Sequence, residues 1–315
     1  MATNAISVRS LTRTYGGGAA AFTAVRDLNL EVVPGTIHAL LGVNGAGKTS
    51  TMEIIEGLAS ATSGEVRVLG LDPIEDRAAV RRRTGVLLQK SGFIGDLTVA
   101  ETLEMWASTV SHPRPLDESM SMLNLTSRRD VAVRNLSGGE QRRLDLACTL
   151  MGGPELVMLD EPTTGLDPES RRAVWDLISA LRDQGHTVLL TTHFLDEAEA
   201  LADQVSIMRA GEIVVEGTVS QIVAGEPSTI TFSTLDVQLP ALQAEVHRDP
   251  SRTTIRTADL QPVLTTLLTW AERQGLTLVD LSVSSPSLEA VFLRIAQQGA
   301  HRTAHQSGIL EGATR

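Results

Sequence analysis

Short apolar runs alternate with stretches of helical period through the first two thirds of the chain. Residues 37–42 (IHALLG) form an apolar run closing on glycine, and the residues from Lys48 to Leu58 suit a helix after it. Comparable strand patterns stand at EVRVLG from Glu65, ELVMLD from Glu155, TVLLTT from Thr187 and QVSIMR from Gln204. Thr98 and Glu101 have capping-box spacing ahead of a predicted helix carrying Leu103, Trp106 and Val110. Strands alternating with helices in this way predict an α/β domain with a largely parallel sheet.

After Gly225 the texture changes. EPST reads as a linker, and strands are predicted around Thr229 to Ser233, Ala244 to Arg248 and Thr253 to Arg256. A helix follows from Leu260 to about Arg273, with Val263, Leu264, Leu267, Leu268 and Ala271 on its apolar side and Asp259 as its cap. TLVDLSV then reads as a strand and SLEAVFLRIA as a helix. The expected organisation is a first domain over 1–225, a small α+β domain over 226–298, and a disordered tail over 299–315 with little to bury.

Composition narrows the class. A chain of 315 residues has room for about two domains. With 42% hydrophobic and 21% charged residues it is neither collagen-like nor wholly disordered. Its apolar runs are broken by Gly, Pro or charge well short of the roughly 18 residues that span a bilayer. MATNAISVRS lacks the basic start and apolar block of a secretory signal. The one cysteine, Cys148, permits no internal disulfide and fits a reducing cytoplasm. A net charge of −11 argues against a generally basic nucleic-acid-binding protein. There are two lysines, Lys48 and Lys90, against 25 arginines, so a lysine placed among glycines calls for a reason.

The reason is GVNGAGKT, which satisfies the GxxxxGK[ST] phosphate-loop pattern with a strand before it and a helix after it. Gly42, Val43, Asn44, Gly45, Ala46, Gly47, Lys48, Thr49 and Ser50 are the candidate nucleotide cradle. The glycines let backbone amides converge on phosphate oxygens, and the helix start faces the same anion. Lys48 reaches toward the β and γ phosphates and Thr49 offers its hydroxyl to magnesium. In LVMLDEPTTGLD a hydrophobic strand delivers Asp160 and Glu161 to its carboxyl end, where ligands gather in open α/β sheets. Asp160 is expected to hold a water on magnesium and Glu161 to orient and polarise the attacking water. In LSGGEQRRLDLA, Ser137, Gly138 and Gly139 precede a helix and make a second anion-binding start. One phosphate loop needs one cradle, so a second suggests nucleotide contact from another direction.

Together these residues resemble the ATP-binding subunits of ABC transporters, over most of Asn4 to Gly225. GVNGAGKT looks like Walker A, LSGGEQ like the family signature and LVMLDE like Walker B. Gln89 in GVLLQ falls at the Q-loop, Asp167 in TTGLD at the D-loop, His193 in TTH at the switch histidine, and Tyr15 in TRTYGG at the aromatic that stacks on adenine. Val43 departs from the Pro frequent in this loop, and Glu140 follows the signature glycines where other residues are frequent. The resemblance implies a P-loop NTPase fold of ABC ATPase type, with a RecA-like core, an antiparallel β subdomain and a helical subdomain, followed by the small C-terminal α+β domain. It implies a Mg-dependent ATPase with ATP and Mg²⁺ as ligands. Glu161, His193, Gln89 and Lys48 would be catalytic, with Thr49, Gln89 and Asp160 around the metal. Ser137 to Gly139 of a second ATPase subunit would close each site in a head-to-tail homodimer, and Asp167 would couple the two sites.

The implied partner is a separate transmembrane permease, which would hold the protein peripherally on the inner face of the cell membrane. SPSLEAVFLRIA from Ser285 resembles the ending of ATPases that serve ABC-2 type exporters, including the daunorubicin-resistance group. That similarity points to export of drugs, antibiotics or other small lipophilic molecules. The alternative is a non-transport ABC ATPase that remodels a soluble or nucleic-acid complex. A metabolic P-loop kinase would leave LSGGEQ unexplained.

Overall fold

In the computed structural model, residues 4–89 and 92–295 are described, and they form two compact units that divide between Val219 and Ser220. The division falls ahead of Gly225, within a short helix, Val219–Val223. Lys90 and the 299–315 tail lie outside the described residues.

In the first unit the strands run in chain order as β1 (Ile6–Tyr15), β2 (Phe22–Val32), β3 (Ile37–Gly42), β4 (Ser63–Val68), β5 (Thr84–Leu87), β6 (Leu156–Asp160), β7 (Thr187–Thr192), β8 (Gln204–Arg209) and β9 (Glu212–Gly217). The helices are α1 (Lys48–Ile55), α2 (Arg77–Arg83), α3 (Val99–Ala107), α4 (Leu116–Met122), α5 (Gly138–Leu150), α6 (Pro168–Asp183) and α7 (Leu195–Leu201). Six strands form a sheet in the order β5-β6-β7-β3-β8-β9, parallel except for the β8–β9 pair. Its inner strands β3 and β7 are buried at every position, as strands covered on both faces must be.

A separate antiparallel sheet has the order β2-β1-β4. The EVRVLG run therefore belongs to this sheet and not to the parallel one. Ile6, Val8, Leu28 and Leu30 of the antiparallel sheet share one core with Met52 and Ile55 of α1 and Met158 of β6. Burying α1 between two sheets fixes the loop that precedes it.

Helix ends account for several departures from the sequence pattern. The expected helix to Leu58 stops at Ile55, because Gly57 takes φ +69° and the Gly57 and Leu58 amides return to the Ile54 and Glu53 carbonyls. Thr98 and Glu101 form the expected capping box, but α3 ends at Ala107 and leaves Val110 beyond it.

The second unit is an antiparallel sheet of order β11-β12-β10-β13, made of β10 (Ser228–Ser233), β11 (Glu245–Arg248), β12 (Arg252–Thr257) and β13 (Ser282–Ser284). Helix Leu260–Arg273 sets Val263 and Leu267 against Ile230, Phe232 and Ile255. Leu268, placed on the apolar side by its spacing, is exposed instead. Asp259 occupies the cap position without a side-chain cap bond; its own amide donates to Thr257 Oγ1 at 3.0 Å. Of TLVDLSV, only the end enters the sheet, through β13.

Candidate active site

The loop between β3 and α1 is shaped by glycines that no other residue replaces without strain. Gly47, the N-cap of α1, takes φ +107°, and a Cβ there would stand 2.5 Å from the Ala24 carbonyl. Gly45 takes φ +81°. No side chain caps α1, so the amides of its first turn remain available to an anion. Lys48 folds back over the loop with only 6% of its surface exposed, and Nζ donates to Gly42 O at 2.7 Å. Burial draws its pKa below the usual lysine value, against the opposing charges of Glu161 and Asp160.

An open cleft of about 570 Å³ faces this loop. Asn44 to Ser50 line it, together with Tyr15, Phe22 and Ala24 and with Gln89, Glu161, Thr164 and His193. The Tyr15 hydroxyl lies 3.1 Å from Ser50 Oγ, and the Arg13 guanidinium sits 4.7 Å from the centre of its ring. Phe22, paired with Tyr15 across β1 and β2, is 62% exposed and adds a second aromatic surface. Gly42 and Val43 contribute through the carbonyls that hold Lys48.

The carboxyl end of β6 places the two acids. Asp160 Oδ1 accepts from Thr191 Oγ1 of β7. Glu161 stands just past the strand at φ +46°, a conformation that residues with side chains seldom adopt, and its amide donates to the Thr191 carbonyl at 3.1 Å. Three groups converge on its carboxylate: Gln89 Nε2 at 3.0 Å and Thr164 Oγ1 at 3.1 Å on Oε2, and His193 Nδ1 at 3.1 Å on Oε1. Burial pushes the Glu161 pKa up, but the bonds from His193, Thr164 and Gln89 outweigh it and hold the acid below its usual value. It is a carboxylate at neutral pH; three donors engage its oxygens, and a carboxylate has lone-pair capacity for one more.

Ser137, Gly138, Gly139 and Asp167 do not line this cleft. Ser137 and Gly138 are exposed at the start of α5, where Ser137 and Glu140 complete a capping box. Gly138 has open space around it, whereas a Cβ on Gly139 would stand 2.4 Å from Ser170 Oγ. Gly139 is thus required by the approach of α6 as well as by any anion. Asp167 is an exposed N-cap whose carboxylate accepts from the Glu169 and Ser170 amides at 3.0 Å each, with Pro168 in the first turn.

Sequence reasoning missed Thr164, Phe22 and two buried charges. Arg142 was hidden in the QRR run, which resembles a solvated helix face. Glu197 is fully buried, and its Oε1 accepts from Thr163 Oγ1 at 2.8 Å and from Trp175 Nε1 at 3.1 Å.

A family profile described as "ABC transporter" matches residues 25–164, and one described as "ABC transporter domain-containing protein-like, C-terminal domain" matches 228–287. Daunorubicin resistance ATP-binding protein DrrA3 of Streptomyces coeruleorubidus is 34% identical over 310 residues, covering 94% of this chain and 96% of its own. Nod factor export ATP-binding protein I of Cupriavidus metallidurans is 37% identical over 227 residues, covering 70% of this chain and 73% of its own. Among solved structures, a dimeric ATP-binding cassette in a post-hydrolysis state, bound to ADP and Pi, superposes with a TM-score of 0.60 at 25% identity, covering 68% of this chain and 98% of that one.

Proposed function

The chain belongs to the ATP-binding, ATP-hydrolysing subunits of ABC transporters, and on that premise we propose that two copies close head to tail around ATP to drive a separate export permease. The observation that carries the proposal is the division of the motif residues. The phosphate loop, Gln89, Glu161 and His193 share one cleft, while Ser137, Gly138 and Asp167 lie on the surface outside it. A second copy that brings its Ser137 to Gly139 over the cleft supplies the missing donors to the nucleotide. The dimeric post-hydrolysis cassette to which the chain is similar supports this arrangement.

Within the cleft, the α1 amides and Lys48 bind the phosphates, Lys48 exchanging the Gly42 and Val43 carbonyls for phosphate oxygens. Tyr15, backed by Arg13, offers its ring to the base. Glu161 accepts a hydrogen bond from the attacking water, and His193 keeps the γ-phosphate in line with it. Water adds to the γ-phosphorus as the bond to the bridging oxygen breaks, leaving ADP, phosphate and a proton.

The donor set fits Mg²⁺. Thr49 and Asp160 offer hard oxygens, with Gln89 nearby, and no group of three His, Cys, Asp or Glu able to hold a metal stands among the described residues. Thr49 and Asp160, with Gln89, would hold such an ion beside the phosphates, a donor set of the hard-oxygen kind that Mg²⁺ takes. When bound, it neutralises charge on the phosphates.

No helix among the described residues is long and apolar enough to cross a membrane. We place the subunit on the cytoplasmic face, reaching the membrane only through its permease. The relatives' names attach one shared ATPase design to unlike compounds, daunorubicin resistance in one and Nod factor export in the other, which supports a substrate pocket in the permease and export of a small lipophilic molecule such as a drug or antibiotic.

The test is ATP turnover by the purified subunit with its permease. Glu161→Gln is expected to lower kcat by about a hundredfold or more; unchanged hydrolysis would remove Glu161 from its role.

A further inference from the structure

Arg142 lies on α5, one turn beyond the signature glycines, with 8% of its surface exposed. It does not line the nucleotide cleft. Its guanidinium is spent on backbone carbonyls. Nε donates to Pro162 O at 2.7 Å, Nη1 to Leu88 O at 2.8 Å, and Nη2 to Asp160 O and Glu161 O at 3.1 Å each. Asp145, one turn on, stands 3.6 Å from Nη1.

Two features make this more than a satisfied buried charge. Desolvating a guanidinium is costly, and an apolar side chain of similar volume fills such a space at lower cost. The carbonyls it collects also belong to two specific segments. Three are consecutive, Asp160 to Pro162, and they bracket the left-handed turn at Glu161. The fourth belongs to Leu88, whose neighbour Gln89 donates to the Glu161 carboxylate. A planar fork reaches both segments at once, which a single ammonium does not.

We propose that Arg142 is a positioning residue for hydrolysis, fixing the Glu161 turn and the Gln89 loop in register from the helix that carries the signature motif. The inference rests on Glu161 acting in hydrolysis. It makes α5 the element through which movement at Ser137 to Gly139 reaches the attacking water.

The test uses the full chain with its permease and compares Arg142→Lys and Arg142→Gln with the native protein, each also combined with Glu161→Gln. Native and single-variant proteins are measured for kcat and ATP Kd, and the combinations for single-turnover hydrolysis. Either Arg142 variant is expected to lower kcat by about tenfold with ATP Kd within about threefold of native. In the Glu161→Gln background the same change is expected to add little, because both act on one step. The inference is overturned if kcat stays within about twofold. It is overturned if ATP affinity falls in parallel, if the loss multiplies with that of Glu161→Gln, or if neither variant folds, since Arg142 would then serve the fold alone. Full hydrolysis by Glu161→Gln itself would instead remove the reading beneath it.

Discussion

Lys48 and His38 show how burial acts on single groups in this protein. The Lys48 ammonium rests on loop carbonyls and is nearly buried, so a phosphate bound in the proposed manner would meet a charge already desolvated. Lys48→Ala is expected to weaken ATP binding by about tenfold or more in a fluorescence titration, and equal affinity would contradict the phosphate-loop assignment. His38, on β3, bonds Ser206 Oγ through Nε2 at 2.9 Å, and burial lowers its pKa to about 4 from 6.5. Between those values the unfolded chain takes up a proton there and the folded chain does not. Its contribution to stability is therefore complete above pH 6.5 and is lost as pH falls toward 4, by about 3 kcal/mol at full extent. Glu56 works in the opposite direction: burial, then Asp160 and Glu53, raise it to about 7, so the stability it contributes at low pH is lost as pH rises from 4.5 through 7. The net profile mixes the two, and the clean observable is a difference. Urea unfolding of His38→Gln against native protein should show the variant gaining relative stability as pH falls from 7.5 to 4.5, and a pH-independent difference would contradict it. The sequence made Lys48 legible because glycines surrounded it. It left His38 and Arg142 illegible because their roles depend on distant chain, Ser206 for one and Leu88 and Asp160 to Pro162 for the other.

At the scale of elements, the meeting of α5 and α6 sets a further condition on the signature loop. Gly139 faces Ser170 with no room for a Cβ, whereas Gly138 has space. Gly139→Ala is expected to cost about 1–3 kcal/mol in urea unfolding, Gly138→Ala markedly less, and Ser170→Gly to recover much of the Gly139→Ala loss. Equal costs at the two glycines would contradict this packing. Strands β3, β6, β7 and β8 could be read directly, since strands buried on both faces become uninterrupted apolar runs. The sheet to which β4 belongs could not, because period-two patterning does not name a strand's partner, and β1 pairs with β4 across more than forty intervening residues. Helix ends were legible where local chemistry decides them, as at Thr98, and not where tertiary contacts do. Leu268 has helical spacing for the core, but Val263 and Leu267, with Leu260, Leu264 and Trp270 beside them, pack on the sheet and Leu268 is left exposed.

At the scale of the whole molecule, the motif residues fall on two surfaces, a cleft with the phosphate loop and Glu161 and an exposed surface carrying Ser137, Gly138 and Asp167, and the proposed dimer would build each ATP site from both. The motifs were legible residue by residue. The separation of the two surfaces was not, because sequence order says nothing of which motifs share a wall. In that proposal, ATP bound to both surfaces would favour the closed pair by mass action, and hydrolysis would remove part of that attraction. The decisive measurement is the mass of the Glu161→Gln protein in solution with and without saturating MgATP, by light scattering on a sizing column. The account expects a monomer without nucleotide and a dimer with it, the dimer being lost when Ser137→Arg is added. A Glu161→Gln protein that binds ATP and stays monomeric, alone and beside its permease, would contradict the shared site.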